Sequence, residues 1–464
     1  MLRLVAAQAE TLWDEALPIE VRELPEDLAA LDVLLCDPGL MAPFAAHWQR
    51  EALESGVSAA EHGRPTIAIE TYVRLMVLKQ RHGWGYRTLV AEVSDSIHLR
   101  RFCRIALSEV VCDESTVRKL TKRVGEQTVN EIIRALIESA VREKRFRARG
   151  VRIDSTVIEA DIKYPQDSGL AAQGVRALAR EGRKLAEAIG QAGVGVRDRS
   201  RSMGRRLRAI TRTIRRRSGE AKAEVLNLTG QTGELLTRSV KEARRLAATA
   251  RRRARGRGAQ AKLRAAAQFD VLADRCEKVA EQIGKRVRGE KITDRLISLC
   301  DPDARPIRKG KLGKPTEFGY VAQIAEVTPN TKRGARGLIL PAPSLPGNPV
   351  ENTLLPLTVT ELKRLGLSPR EIALDGGFTL GPTTEQLEDL QLERLFISGR
   401  QQPGSRRTQR RLQRYRTGTE GRISHLKRGY GLRRSRLKGD EGQKTWTAWA
   451  ILTYNLDTLT IRTA

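Results

Sequence analysis

The octapeptide VRIDSTVI (151–158) is short and β-branched and reads as a strand. No comparable signal follows until EFGYVAQIAEV (317–327). From Leu170 to about Arg295 the chain runs instead through Ala, Arg, Glu and Leu, the composition of long helices, with glycine breaks near 190–195 and 254–258. A strand parted from the next by a helical block of that length constrains the fold more than any other feature. The block must leave a sheet and return to it, as an insertion.

Further strand signals come in RGLILPA (336–342), EIALD (371–375) and RLFISG (394–399). Helical stretches lie at about 350–365, 384–390, 406–430 and 443–461. In the last, Trp446, Trp449, Leu452, Leu456 and Leu459 make a core stripe. With the insertion set aside the order is β-β-β-α-β-α-β-α. That is the order of the RNase H-like α/β fold, with a mixed five-stranded sheet. The expected layout is a helical segment (1–62), a helical DNA-binding domain (63–148), the catalytic domain (149–170 plus 301–464) and the basic helical insertion (171–300).

Within 63–148, Arg64-Pro65 opens a helix with the apolar face Tyr72, Leu75, Met76, along which Lys79 can snorkel. Gly83-Trp84-Gly85 breaks it, and Asp95 or Ser96 can cap a later helix. In DESTVRKLTKRVG, Asp113 or Ser115 caps a helix bearing Arg118, Lys119, Lys122 and Arg123. Short helices ending in a basic one suit a helix-turn-helix-like DNA reader, though a plain bundle with a solvated charged face has the same pattern.

Charge narrows the partner. The chain has 84 Lys+Arg against 55 Asp+Glu, a net charge of +29. Such a field attracts polyanions, and nucleic acid is the most abundant inside a cell. Residues 201–260 hold 18 Lys/Arg and four Glu, and residues 401–440 hold 13 Lys/Arg against Glu420 and Asp440. The run RSMGRRLRAITRTIRRRSGEAK could lie along phosphates or form a solvated arm between subunits. No apolar run of about 18 residues occurs, so no membrane span is expected. Five scattered cysteines without a C-x-x-C pair fit a reducing cytosol and no zinc site. No G-x-x-x-x-G-K-[ST] loop points to ATP.

In the expected topology an acid on the first strand, one ending the fourth and one on the following long helix converge at one edge. Those positions hold Asp154, Asp375 and Glu420. Hard oxygen ligands of this kind suit Mg²⁺, and two such ions suit in-line phosphoryl transfer. Each acid also has a plain structural use. Asp154 can cap a turn before Ser155-Thr156, Asp375 can begin a turn before Gly-Gly, and Glu420 can pair with a surface cation. At about 100° per residue, Gln413, Arg416 and Lys427 share the direction of Glu420. Leu412, Tyr415, Thr419, Ile423, Leu426 and Tyr430 form the face that packs inward.

Arg416-x₃-Glu420-x₆-Lys427 resembles the signature of insertion-sequence transposases of the four/five superfamily, Tyr-x₂-Arg-x₃-Glu-x₆-Lys, with Gln413 at the tyrosine position and Tyr415 two residues on. RIDSTVIEA and EIALDGGF resemble that family's two aspartate strands. LCDPDARPIRKGKLGKPTEFGY (299–320) resembles the lead into strand two in its ISNCY-like group, and residues 63–102 resemble its N-terminal helical domain.

The resemblance implies a DDE transposase. Such an enzyme cuts double-stranded DNA at terminal inverted repeats and joins the freed 3′-hydroxyl to target DNA. It implies Mg²⁺, with Mn²⁺ able to substitute, held by Asp154, Asp375 and Glu420, with Arg416 and Lys427 on backbone phosphates near the cut. It also implies a homodimer on paired ends and a bacterial cytoplasmic location at the nucleoid. The 45 residues from Asp375 to Glu420 contain no tryptophan, so no base-stacking hairpin step is expected. Two alternatives stay open: a non-catalytic DNA-binding relative, and an RNase H-like nuclease without strand transfer.

Overall fold

The computed structural model describes residues 2–5, 16–56, 66–191, 193–256, 258–311, 314–401 and 403–463. These carry fifteen α-helices and an open, mixed sheet of eight strands. The chain divides into two compact units, 1–161 with 319–464, and 162–318.

The first unit begins with α1 (Ile19–Arg22), α2 (Glu26–Leu35), α3 (Ala42–Ser55), α4 (Ile69–His82), α5 (Tyr86–Asp95), α6 (Ile97–Phe102) and α7 (Glu114–Arg142). Gly83 ends α4 in the left-handed region, where a glycine carries no Cβ penalty. Of the expected caps, Ser96 accepts from the Leu99 N–H at 3.3 Å and Asp113 from the Ser115 N–H at 2.7 Å. The long α7 changes direction at Gly125 (φ 65°).

The chain then enters β1 (Gly150–Ala160). The second unit supplies α8 (Asp167–Ala188), α9 (Ser200–Thr213), α10 (Gly219–Arg253), α11 (Ala259–Val287) and β2 (Arg305–Lys311). Its core joins Leu178, Leu236, Ala243, Phe269, Cys276 and Ile283. Gly174 and Gly233 permit its close helix packing: a Cβ on either would lie 2.8 Å from Leu236 or Ile283. The break between α9 and α10 falls at Arg217, left-handed at φ 57°, with Ser218 capping the next helix. A non-glycine residue there gives no sequence signal. The helices expected at 171–300 all fall within the second compact unit, 162–318.

From β3 (Lys314–Thr328) the chain passes through β4 (Leu338–Ile339), β5 (Ser344–Leu345), α12 (Glu351–Arg364), β6 (Glu371–Leu374), α13 (Leu380–Leu387), β7 (Arg394–Ile397), α14 (Arg406–Gly429), β8 (Arg434–Ser435) and α15 (Gly439–Thr463). The sheet order is β2-β3-β1-β6-β7, with β4 and β5 on β3 and β8 on β1. β3 is antiparallel to β1, from Gly150↔Thr328 to Glu159↔Gly319, whereas β6 is parallel to β1 and β7 to β6. The sheet therefore has eight strands, not five. β5 and β8 are two-residue pairings and β2 (RPIRKGK) lacks alternation, so none signals itself. RGLILPA forms a strand at 338–339 with one further ladder bond, from the Leu340 N–H to the Ala325 carbonyl at 3.0 Å, and Pro341 has no N–H to continue it.

The helices of 63–148 do not have a core of their own. They share one with the sheet and α15, in which Tyr72 meets Trp449 edge to face at 5.6 Å. The α15 stripe is buried as expected, and so are Thr447, Thr453 and Asn455 on its other sides. Asn455 stands in for a strand neighbour: its amide exchanges two 2.8 Å hydrogen bonds with the backbone of Ile339. Covering by α15 also corrects the reading of Lys79. Its ammonium does not reach water but lies buried, 4.2 Å from the Trp446 ring and 4.8 Å from that of Tyr86.

Candidate active site

Parallel pairing runs from Gly150↔Glu371 to Ile153↔Leu374, so the next residues, Asp154 and Asp375, are neighbours at the end of β6. Side chains alternate along a strand, so Arg152 shares a face with Asp154, and Glu371 shares one with Asp375. Helix α14 lies over that face. Its inward residues Leu412, Tyr415, Thr419, Ile423 and Leu426 are buried as the periodicity requires, and Glu420 stands exposed beside them.

Arg416 links the acids. Its Nη1 donates to Asp375 Oδ1 at 2.7 Å and its Nη2 to Glu420 Oε1 at 2.9 Å. One planar guanidinium thus holds both carboxylates, whose bonded oxygens lie less than about 8 Å apart. Asp154 completes the group. Burial pushes its carboxyl up to about 6, the Asp375 and Glu351 carboxylates add to the rise, and Arg416 pulls against it. Glu351, in the first turn of α12, accepts a hydrogen bond from Ser155 Oγ. Sequence reasoning missed Glu351, because a first-turn acid is an ordinary helix-dipole partner. Only the fold carries it to Asp154.

The turn after Asp375 explains its two glycines. A Cβ on Gly376 would lie 3.1 Å from the Ser398 carbonyl, and one on Gly377 would lie 3.0 Å from Glu351 Cγ. Their bareness lets the neighbouring strand end and Glu351 close around Asp375. Gln413 lies at the same end, accepting from Ser398 Oγ at 3.4 Å, and Lys427 is half-buried about two turns beyond Glu420 on α14.

A buried ion pair fixes the height of α14. Arg152 donates to Glu326 at 2.8 Å and to the carbonyls of Tyr415 and Ala335, both at 2.9 Å. Glu326 also accepts from Arg422 at 3.0 Å and from the Gly337 N–H at 2.8 Å. Gly418 makes the approach possible, since a Cβ there would fall 2.0 Å from Arg152 Nη1. His425 packs edge-on against Tyr430 and Tyr454, and burial lowers its pKa.

The donors fit Mg²⁺ in kind, being carboxylate oxygens, and burial first and neighbouring carboxylates second raise the pKa of one of them. Their arrangement is not a finished cage. Among the described residues no three or more His, Cys, Asp or Glu side chains are grouped to hold a metal ion. In this state Arg416 is the cation between Asp375 and Glu420.

The basic residues of α7 divide. Arg118, Lys119 and Lys122 are exposed, with Arg118 only 3.9 Å from Glu114. Arg123 is held inside the unit, at 2.6 Å from Glu51 and over the Trp48 ring at 4.3 Å. The structure does not join these residues to the acid group by any hydrogen bond or ion pair among the described residues. No single described helix is long and apolar enough to cross a membrane.

Residues 40–123, which include Arg118, Lys119, Lys122 and Arg123, match the family model "Transposase domain (DUF772)". An uncharacterized protein, ORF8 in the nfe locus of Rhizobium meliloti, is 29% identical over 127 residues, 26% of this chain. The match spans 61% of that relative's length. No solved structure matches the chain. Together the domain match and the rhizobial relative support a transposase-family protein.

Proposed function

We propose that this chain is a DDE-type DNA transposase that cuts at the terminal inverted repeats of its element and joins the 3′-hydroxyl to target DNA. One observation carries the reading: Asp154 and Asp375 are neighbours on parallel strands, and one arginine ties Asp375 to Glu420. The position of β6 beside β1, with β3 antiparallel on the other side, is what an RNase H-like sheet needs to bring those acids together. The transposase-domain match and the net charge of +29 support DNA as the substrate.

Asp154 and Asp375 would hold Mg²⁺ or Mn²⁺, and Glu420 would complete the set once Arg416 lets go of it. Bound as a pair, such ions activate the attacking oxygen and stabilise the leaving one. The protein's own part is positioning. Arg416, freed from the two acids, presents two parallel donors to a backbone phosphate, with Gln413 and Lys427 along the same helix. Arg118, Lys119 and Lys122 offer a further contact with the duplex, from within the unit that also carries the acids. We place the protein in the bacterial cytoplasm, acting as a dimer on paired ends.

The test is cleavage and joining of duplexes carrying the element's ends, with Mg²⁺ or Mn²⁺. Asp154→Asn, Asp375→Asn and Glu420→Gln should each abolish both steps while leaving duplex binding within about threefold. An active variant removes that residue from the site. Cleavage without joining would favour the nuclease reading. Binding with neither step, in wild type, would leave a DNA-binding protein.

A further inference from the structure

The first two turns of α14 and the loop after β3 enclose a cleft of about 700 Å³ lined by Lys332, Arg333, Arg407, Arg410, Arg411 and Arg414. Arg411 is committed to the protein, pairing with Glu371 at 2.6 Å. The other five are exposed, and among the described residues none is ion-paired with a carboxylate. Five exposed cations around one cleft repel one another and together attract an anion. The cleft is built for an anion larger than a single phosphate.

Its position defines the ligand further. Glu371 and Asp375 share one face of β6, four residues apart, which is about 13 Å. Arg411 meets the first and Arg416 the second, so the cleft and the acid group lie along the same helix. Arg407, Arg410 and Arg414 continue at helical spacing into Thr417 and Gly421, toward the exposed Glu420. Gly421 is mid-helix, where glycine is unfavourable, yet a Cβ there would meet nothing within 4 Å. Its bareness serves no packing inside the protein. It leaves the outer face of the helix low beside Glu420, just past the acid group as seen from the cleft.

We infer that this cleft binds the phosphate backbone of duplex DNA at a point separate from the phosphate at the acid group, the backbone running along α14 from the cleft to Gly421. This subsite rests on the transposase reading and assigns the same substrate a second point of grip. It requires neither the metal nor the reaction.

The experiment measures binding of a 40-base-pair duplex by the full chain in EDTA, as a function of salt. Wild type is compared with R407A/R410A/R414A and with Gly421→Leu. Each neutralised phosphate adds about 0.9 to the slope of log K against log salt, so the triple variant should lose about 2–3 from the slope. Gly421→Leu should keep or slightly raise the wild-type melting temperature and weaken binding at least about tenfold, through obstruction alone. An unchanged slope in the triple variant overturns the subsite while the transposase reading stands. Unchanged affinity in Gly421→Leu overturns the path of the backbone along α14. A wild-type chain that binds no duplex at all sinks the reading beneath it.

Discussion

Arg416 and Asp375 are joined at 2.7 Å, from a helix residue to the end of a parallel strand, and the same guanidinium holds Glu420. The cation needed between these acids is therefore already present, as a side chain. Asp375 and Glu420 are 43% and 60% exposed, so solvent screens the pair and its direct contribution is small. Arg416→Gln should cost about 1 kcal/mol or less in EDTA. Added Mg²⁺ should then raise the variant's melting temperature more than that of wild type, because an ion replaces the lost positive charge. Equal shifts in both proteins, read by scanning calorimetry, would place the ion elsewhere.

Asp154 gives a prediction with a definite sign. Its folded pKa is raised to about 6, chiefly by burial and then by Asp375 and Glu351. The folded chain therefore binds the proton more tightly than the unfolded one. This contribution is fully present below the unfolded value and is lost as pH rises through about 6. Asp154→Asn should stabilise the metal-free protein at pH 8, by on the order of 1–2 kcal/mol, and do little at pH 4. Denaturant unfolding at the two pH values measures it. Mg²⁺ binding by wild type should weaken as pH falls below about 6, where a proton competes for Asp154.

Gly418 has a different use from Gly421 three residues on. A Cβ at Gly418 would strike the buried Arg152 guanidinium, whose displacement leaves Glu326 short of a partner in a fully buried place. Gly418→Ala should therefore destabilise the chain by about 2–4 kcal/mol, although alanine is the better helix former. A neutral or stabilising result in urea unfolding would mean that α14 can lift without cost. Gly421→Ala is the matched control and should be neutral or slightly stabilising.

Lys79 is buried against Trp446 and Tyr86, and burial lowers its pKa to about 7. Its folded value lies below the unfolded one, so stability should rise as pH climbs from about 7 toward the ordinary lysine range. Lys79→Met keeps the volume and removes the charge. It should flatten that rise and raise the melting temperature at pH 7. A steeper pH dependence in the variant would mean that the two rings hold the ammonium more favourably than water does.

Period and composition determined the elements that carry many residues of one pattern. VRIDSTVI and EIALD are legible as short β-branched or apolar runs buried on both faces, RLFISG as another short apolar run, and the helix bearing Glu420 by the spacing that burial on one face imposes. The inward face of α14 was readable residue by residue for the same reason, and so was the helical character of the insertion. Tertiary structure decided what had no local signature. Two-residue strands are held by their partners alone. Lys79 is dry because α15 covers it, and the helices of 63–148 join the sheet's core for the same reason. Glu351 meets Asp154 across 197 positions, and Arg416 faces Asp375 across 41, because neighbouring strands and one helix bring them together. A chain's local pattern records which face is buried, but not against what; side-chain charge is placed by contacts that only the folded sheet creates.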